Sequence, residues 1–212
     1  MKMEITKRGE MTLVAGIVKS CREGSGASAG RVVNVKIEGT VYNHDKKVEE
    51  NKILDIAFWN SEENDRMLAD RVIKAGVGVG SFITALVMMK EDNKATGLNF
   101  KYSGIWKFPA TEDKKELNVL VGTVTSLDED PEGRFVKVSI PVSAGKDKET
   151  EWHKITFWNS EKAAMADRAK LCLKPRADGR KVRAVIVCGE CELYNGKPNY
   201  TGFRFELVPE NR

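Results

Sequence analysis

The sequence predicts an all-β protein made of two copies of one small barrel, with a single helix in each copy. The pentapeptide Phe-Trp-Asn-Ser-Glu occurs twice, at residues 58–62 and 157–161. Around each copy the chain shows three β-rich segments, one helical segment and two further β-rich segments. A repeat of roughly 100 residues has the size of a domain, whereas solenoids repeat in shorter units.

Four further pairs of tripeptides extend the duplication over nearly the whole chain. They are Gly16-Ile17-Val18 with Gly122-Thr123-Val124, Arg31-Val32-Val33 with Arg134-Phe135-Val136, Ala69-Asp70-Arg71 with Ala166-Asp167-Arg168, and Tyr102-Ser103-Gly104 with Tyr200-Thr201-Gly202. The spacing between partners drifts along the chain, so the length differences lie in loops between matched segments, where insertions cost little. One fold must therefore explain both halves.

The second copy shows the expected elements most clearly. Strands are predicted over residues 117–124, 135–142, 152–158, 182–187 and 200–208. Residues 135–142 alternate strictly between apolar and polar, which is typical of a half-buried strand. An alanine-rich segment follows the capping pair Asn159-Ser160 and ends before Pro175, which predicts a helix between the third and fourth strands.

Five strands with one helix between the third and the fourth is the order of the OB-fold, a small closed Greek-key barrel. The first copy repeats this order, with its helix expected over residues 61–76. Residues 109–116 are charged and lack periodicity, which is typical of a linker. The sequence thus predicts a first OB-fold over residues 1–108, a linker over 109–116 and a second OB-fold over 117–212.

Composition indicates a soluble, globular protein. Of its 212 residues 41% are hydrophobic and 31% charged, and the net charge is only +4. The longest apolar run, residues 82–89, is too short to span a bilayer, and the amino terminus lacks the apolar core of a signal peptide. We therefore expect a cytoplasmic protein. If it binds nucleic acid, its positive charge must be concentrated on one face.

The sequence shows no pattern for a metal, a cofactor or a catalytic site. Cys188 and Cys191 form a C-x-x-C at the end of a predicted strand, where residues three apart should face opposite ways and could not converge on zinc. The glycines of residues 76–80 follow a helix and precede a strand, the reverse of a dinucleotide-binding turn. The two histidines, His44 and His153, have no nucleophile at motif spacing. We therefore expect neither an enzyme nor a bound cofactor.

The third strand of the second copy carries the candidate binding surface. Alternation turns His153, Ile155 and Phe157 into the core. The opposite, outer face comprises Trp152, Lys154, Thr156 and Trp158, to which the preceding strand adds Phe135, Lys137 and Ser139. Nucleic-acid bases stack on aromatic rings at roughly 1–3 kcal/mol each while lysines follow the phosphates, and neither contact reads sequence. Lys146, Lys148 and Lys197 would add further phosphate contacts.

Two other uses of this surface stay open. The aromatic residues could fill a contact between barrels or subunits, where Trp and Phe are enriched, so that the protein would be an interaction or assembly module. The interleaved Lys137 and Lys154 argue against this use, because interface cores are depleted of lysine. RNA would use the same stacking, since only the placement of polar groups around the 2′-hydroxyl separates it from DNA.

The segment of residues 150–158, Thr-Glu-Trp-His-Lys-Ile-Thr-Phe-Trp, resembles the third strand of the bacterial single-stranded-DNA-binding protein (SSB) family nearly residue for residue. Gly122, Gly189 and the pair Tyr200-Thr201 extend the resemblance over most of the second copy. It implies that Trp152 and Trp158 stack on DNA bases. It also implies binding of single-stranded DNA without sequence specificity, in replication, recombination or repair.

The chain also departs from this family. Tyr194 falls near another of the family's stacking aromatics, but the shorter loop between the second and third strands has no counterpart of the family's additional tryptophan. We expect no acidic tail with an aromatic end, through which the family recruits partners. Family members assemble four single-barrel chains, so two double-barrel chains would reach the same number, and we expect a homodimer.

The two copies differ on the predicted outer face. The first copy carries Ile53, Asp55, Ala57 and Trp59 on the third strand, and Val32, Asn34 and Lys36 on the second. Only Trp59 and Lys36 keep the aromatic and basic character, and Asp55 would repel phosphate. We therefore expect a weaker site in the first barrel. Candidates for further contacts there are Tyr42, Lys46, Lys47, Trp106 and Lys107.

Overall fold

The computed structural model describes residues 1–62, 66–91, 93–143, 149–161, 163–174 and 179–209. The chain divides into two compact units, the first over Met1–Tyr102 and the second over Ser103–Val208. Each unit consists mainly of β-strands and contains one short α-helix. In the described parts of the chain, neither helix has the length and apolar character needed to cross a membrane.

The first unit contains a closed five-stranded barrel. Its elements are β1 (Glu4–Arg8), β2 (Met11–Glu23), one turn of 3-10 helix (Gly26–Ser28), β3 (Val32–Asn43), β4 (Val48–Ser61), β5 (Arg66–Met67), α1 (Leu68–Lys74), β6 (Phe82–Met89) and β7 (Lys94–Lys101). The strands pair in the order β2-β3-β4-β7-β6, and β6 pairs back to β2. Only β4 and β7 run parallel within the barrel. This is the strand order expected for an OB-fold.

The second unit repeats this pairing with one difference. Its elements are β8 (Gly104–Phe108), β9 (Leu117–Thr123), β10 (Ser126–Glu129), β11 (Phe135–Ser143), β12 (Thr150–Ser160), β13 (Ala163–Ala164), α2 (Met165–Leu173), β14 (Arg183–Tyr194) and β15 (Lys197–Leu207). The pairing order is β10-β11-β12-β15-β14-β9. β9 and β10 are two halves of one run that pairs first with β14 and then with β11, as the single strand β2 pairs with β6 and β3.

A glycine in each unit lets this long first strand cross the barrel. A Cβ on Gly16 would lie 2.7 Å from the carbonyl oxygen of Glu38, and one on Gly122 would lie 2.6 Å from Cγ2 of Ile140. Neither approach leaves room for a side chain. The two glycines are partners in the sequence duplication, so their match has a steric cause.

The Phe and Asn of the repeated pentapeptide have structural roles. Phe157 is fully buried in the barrel core. Asn159 accepts hydrogen bonds through Oδ1 from the N–H groups of Ala166 and Asp167, at 2.8 and 3.3 Å, and so caps α2 from the end of β12. Its Nδ2 donates to the carbonyl of Gly133 at 3.1 Å, which holds the loop before β11.

Asn60 plays the same part in the first unit. Its Oδ1 accepts from the N–H of Asp70 at 3.3 Å and its Nδ2 donates to the carbonyl of Gly30 at 3.1 Å. The helix is shorter than the sequence predicts, Leu68–Lys74 rather than residues 61–76. The chain first forms β5, which pairs back to the end of β4.

The predicted domain boundaries require a correction. Residues 104–108, assigned from sequence to the first barrel, form β8 and pair antiparallel with β9 in the second unit. β1 pairs with β2 in the same way in the first unit. Each repeat therefore begins with an additional strand before the barrel. The predicted linker, residues 109–116, joins two strands of the second unit.

The last tripeptide match is also misaligned. Pairing with the third barrel strand makes residues 95–97, not 102–104, the equivalents of residues 200–202. A Cβ on Gly97 or Gly202 would come within 2.3 or 2.4 Å of the buried phenylalanine ring opposite. The glycine shared by the two copies is therefore the one that makes room for this ring.

Candidate nucleic-acid interface

The outer face of the second barrel presents two half-exposed tryptophans on β12. Trp152 and Trp158 are each 48% exposed, whereas His153, Ile155 and Phe157 are buried. This confirms the predicted alternation along the strand. β12 lies between β11, which is antiparallel to it, and β15, which is parallel, so the face spans three adjacent strands.

Aromatic and basic side chains interleave on this face. Phe135 lies directly opposite Trp158, with ring centroids 4.8 Å apart and planes inclined by 56°. The Nζ atom of Lys137 lies 5.0 Å from the centroid of Phe135, a cation–π contact. Lys154 stands on β12 between the two tryptophans and is partly exposed. The face therefore combines flat apolar surfaces with two ammonium groups.

Two polar residues of the predicted face have little exposed surface. Thr156 is 9% exposed and Ser139 is 7% exposed. Thr156 pairs with Lys137 on one side and with Thr201 on the other, so neighbouring strands cover it from both directions. Contrary to expectation, Thr156 offers a ligand almost no contact area.

Tyr194 and Lys197 lie at the tip of the hairpin between β14 and β15. They pair across the turn of Asn195 and Gly196, whose φ angles of 51° and 71° are both in the left-handed region. Tyr194 is 71% exposed. Asn199, two residues after Lys197, pairs with Lys154, so β15 leads from the hairpin tip onto the face near Trp152. Lys146 and Lys148 lie outside the described residues.

The equivalent face of the first barrel is less aromatic and its charges are paired. Trp59 is 41% exposed, but the residue opposite it is Val32, which is buried. The Nζ atom of Lys36 lies 3.7 Å from the carboxylate of Asp55, directly across the strand pair. The basic residue expected to contact phosphate is therefore held by an acidic neighbour.

The expected role of Trp106 requires a correction. The sequence places it in the first barrel as a candidate nucleic-acid contact, but it lies on β8 of the second unit and is only 6% exposed. A tryptophan buried to this degree has no face on which a base could stack. Lys107, the next residue on β8, is exposed.

His153 is part of the core. Its Nδ1 lies 3.0 Å from the hydroxyl of Tyr200, and its Nε2 lies 3.2 Å from the carboxylate of Glu151. Burial lowers the pKa of His153 below its usual value, against the opposing effect of Glu151, and Lys107 lowers the pKa further. The ring is therefore held neutral within the core.

The two cysteines of the C-x-x-C face the same way, contrary to expectation. Cys188 pairs with Gly202 and Cys191 with Tyr200, so β14 advances by three residues where β15 advances by two. This bulge turns both thiols toward the core, and burial raises the pKa of Cys188. Among the described residues, no group of three or more His, Cys, Asp or Glu side chains is placed to hold a metal ion.

One exposed aromatic on this face was not predicted from the sequence. Phe203 on β15 is 55% exposed and stands two residues beyond Thr201, which pairs with Thr156. Its strand does not alternate regularly, because Val187 pairs with Arg204 and Cys188 with Gly202, which leaves Phe203 as the extra residue of a β-bulge. A bulge is not visible in a period-two pattern.

Comparisons with known proteins yield structural matches only. No protein-family model matches the sequence, and no curated protein matches it significantly. Among solved structures, the single-stranded DNA binding protein of Thermus aquaticus aligns over 95% of this chain and 94% of its own, at 11% identity and a TM-score of 0.33.

Two crystal structures of the S. cerevisiae mitochondrial single-stranded DNA binding protein Rim1 also align, each with about half of this chain. They cover 45% and 47% of this chain and 96% and 99% of their own, at 13% and 14% identity and TM-scores of 0.32 and 0.33. These TM-scores are too low to assign a fold. The assignment to an OB-like barrel rests on the strand order of the chain itself.

Proposed function

We propose that this protein is a tandem pair of OB-folds that binds single-stranded DNA without sequence specificity. The observation that carries the proposal is the outer face of β11, β12 and β15. There Trp152 and Trp158, each 48% exposed, stand on either side of Lys154, with Phe135 packed at 4.8 Å from Trp158. The activity is binding alone, without a cofactor or a catalytic step.

The spacing of the tryptophans suits an extended strand. Trp158 lies six residues after Trp152, which at about 3.3 Å per residue places them roughly 20 Å apart along β12. They would therefore hold different bases, each worth roughly 1–3 kcal/mol by stacking. Lys137 and Lys154 lie between these positions, where phosphates of the same strand would pass.

The proposed binding is to single strands, because a duplex keeps its bases stacked on each other and offers only its phosphates. With a net charge of +4, the protein has a modest electrostatic attraction for duplex DNA. Proteins with such a preference protect or organise strands exposed during replication, recombination or repair, and we assign this protein to that group of processes.

Titration with oligo(dT) tests the proposal. Stacking should quench tryptophan fluorescence, and binding should weaken as salt rises, with a log-log slope of about −0.7 for each phosphate contact. Duplex DNA of equal length should bind much more weakly. An absence of quenching with an absence of binding would overturn the proposal and favour an interaction module, whereas tighter binding of oligo(U) would point to RNA.

We further propose that two chains associate, so that four barrels act together. The long hairpin of β3 and β4 exposes the apolar side chains of Tyr42, Val48 and Ile53, between 43% and 49% each. Such side chains on an extended hairpin are suited to bury against a second copy. Sedimentation at micromolar concentration should show a dimer, and a monomer alone would contradict this proposal.

A further inference from the structure

Phe203 extends the aromatic surface onto a third strand. Thr156 of β12 and Thr201 of β15 are paired in parallel register. Trp158 and Phe203 each lie two residues beyond this pair on their own strands. Phe135 lies opposite Trp158 on the other side. Phe135, Trp158 and Phe203 thus stand on three adjacent strands, β11, β12 and β15, and are here called the aromatic row.

The backbone is shaped to hold the ring of Phe203 at the surface. Phe203 is the extra residue of a β-bulge, a device that redirects a side chain. A Cβ added to Gly189 on the neighbouring strand would lie 2.9 Å from Cζ of Phe203 and 3.3 Å from Cε2. The glycine therefore leaves the space that the ring edge occupies, while 55% of the residue remains exposed.

The first barrel has the same bulge without the aromatic ring. Leu86 pairs with Asn99 and Val87 with Gly97, so Leu98 is the extra residue there. Leu98 is partly buried, and Met88 stands at the position equivalent to Gly189. The bulge thus belongs to the fold and forms with an aliphatic residue.

The aromatic row has more aromatic residues than the equivalent positions of the first barrel. Where the second barrel has Phe135, Trp158 and Phe203, the first has Val32, Trp59 and Leu98. Packing alone is satisfied by a single aromatic residue. Core packing therefore does not explain the two additional rings, Phe135 and Phe203, of which Phe203 is more than half exposed.

We propose that Phe203 is a base-stacking residue that carries the path of the DNA from Trp158 on β12 onto β15. The inference rests on the proposed function and deepens it. The ring offers a flat apolar surface on the strand next to that of Trp158 and contributes no charge. Its contribution should therefore depend on the presence of a base and be independent of the phosphates.

The test measures binding of a fluorophore-labelled oligo(dT) by anisotropy, with Phe203→Leu as the variant, since leucine is the residue that the first barrel uses at this position. Binding should weaken about tenfold, within the range for one stacked base. The salt slope should not change, because no phosphate contact is lost. Leu207→Ala, which removes an exposed apolar side chain from the same strand outside the row, is the matched control and should bind as the wild type does.

A strand of the same length with abasic sites separates stacking from a structural effect. The wild type and Phe203→Leu should bind it equally. Two results would overturn the role of Phe203, provided that Trp152→Ala still weakens binding. One is an equal loss of affinity of Phe203→Leu for oligo(dT) and for the abasic strand, and the other is an unchanged affinity of this variant for oligo(dT). Failure of the wild type to bind oligo(dT) would instead overturn the proposed function. Circular dichroism checks the fold, and Phe203→Met replaces the leucine variant should that one unfold.

Discussion

The cores of the two barrels are built from the same pairs of residues. Phe58 packs edge-on against Phe100 with ring centroids 5.7 Å apart, and the equivalent rings of the second barrel, Phe157 and Phe205, are 5.5 Å apart. In each barrel an arginine from the helix lies over the second ring, at 5.8 Å in the first and 5.2 Å in the second. These residues recur because both copies must close the same barrel.

The outer faces of the third strands have diverged. In the second barrel Lys154 stands between two half-exposed tryptophans, whereas in the first Asp55 occupies the equivalent position and pairs with Lys36 at 3.7 Å. The core and the helix cap are thus common to both copies, whereas the outer face keeps only the tryptophan of the pentapeptide, Trp59 or Trp158. The repeated pentapeptide, the most conspicuous feature of the sequence, is therefore explained mostly by the core and by the helix cap.

The largest expected effect separates the tryptophans of the two barrels. Trp152→Ala or Trp158→Ala removes one stacking surface and should weaken oligo(dT) binding by roughly 1–3 kcal/mol, about tenfold to a hundredfold. Trp59→Ala should cost less, because no additional exposed aromatic flanks it and its neighbouring charges are paired. Anisotropy titration of the three variants measures the difference.

All three side chains are about half exposed, so unchanged thermal unfolding is the appropriate control. Equal losses from Trp59→Ala and Trp152→Ala would contradict the division into a strong and a weak barrel.

A smaller effect is expected from reversing the charge in the first barrel. Asp55→Lys removes a repulsion, releases Lys36 from its ion pair and adds a cation, so binding should tighten by about threefold to tenfold at low salt. The salt slope should become steeper by about 0.7 for each further phosphate that a lysine neutralises. Asp55→Asn, which removes the repulsion and releases Lys36 without adding a cation, should lie between the wild type and Asp55→Lys. Unchanged affinity in both variants would show that this face does not meet DNA.

The smallest expected effect is a change of stability with pH, which should come from the core of the second barrel and not from that of the first. Burial lowers the pKa of His153, so protonation favours the unfolded chain. Stability should therefore fall as pH drops below the usual histidine pKa of about 6.5, and should be insensitive to this group at higher pH. The first barrel has the buried Leu54 at the equivalent position.

Urea unfolding at about pH 7.5 and pH 5.5 measures this loss. His153→Leu should remove the part of this loss that comes from His153. The same loss between the two pH values in wild type and variant would exclude His153 as its source.

Much of the fold follows from local patterns. Alternation identified the strands, the inward residues of β12 and the two exposed tryptophans, because a strand with one buried face must repeat with a period of two. The duplication identified Gly16 and Gly122, where the long first strand crosses the barrel. Glycine is required there because the neighbouring strand packs too closely for a side chain. Lys137 and Phe135 could be placed because their strand pairs with β12 without interruption.

Only the tertiary structure decided the remaining features. β8 follows the first repeat in sequence but pairs with β9, and this choice of partner buried Trp106 and moved the domain boundary. The bulges of β14 and β15 turned Cys191 and Phe205 inward, since an unpaired residue shifts the alternation of everything beyond it. The sequence by itself determined which segments are strands and which of their faces are apolar. Pairing partners and bulges depend on hydrogen bonds between distant residues, which no local pattern records.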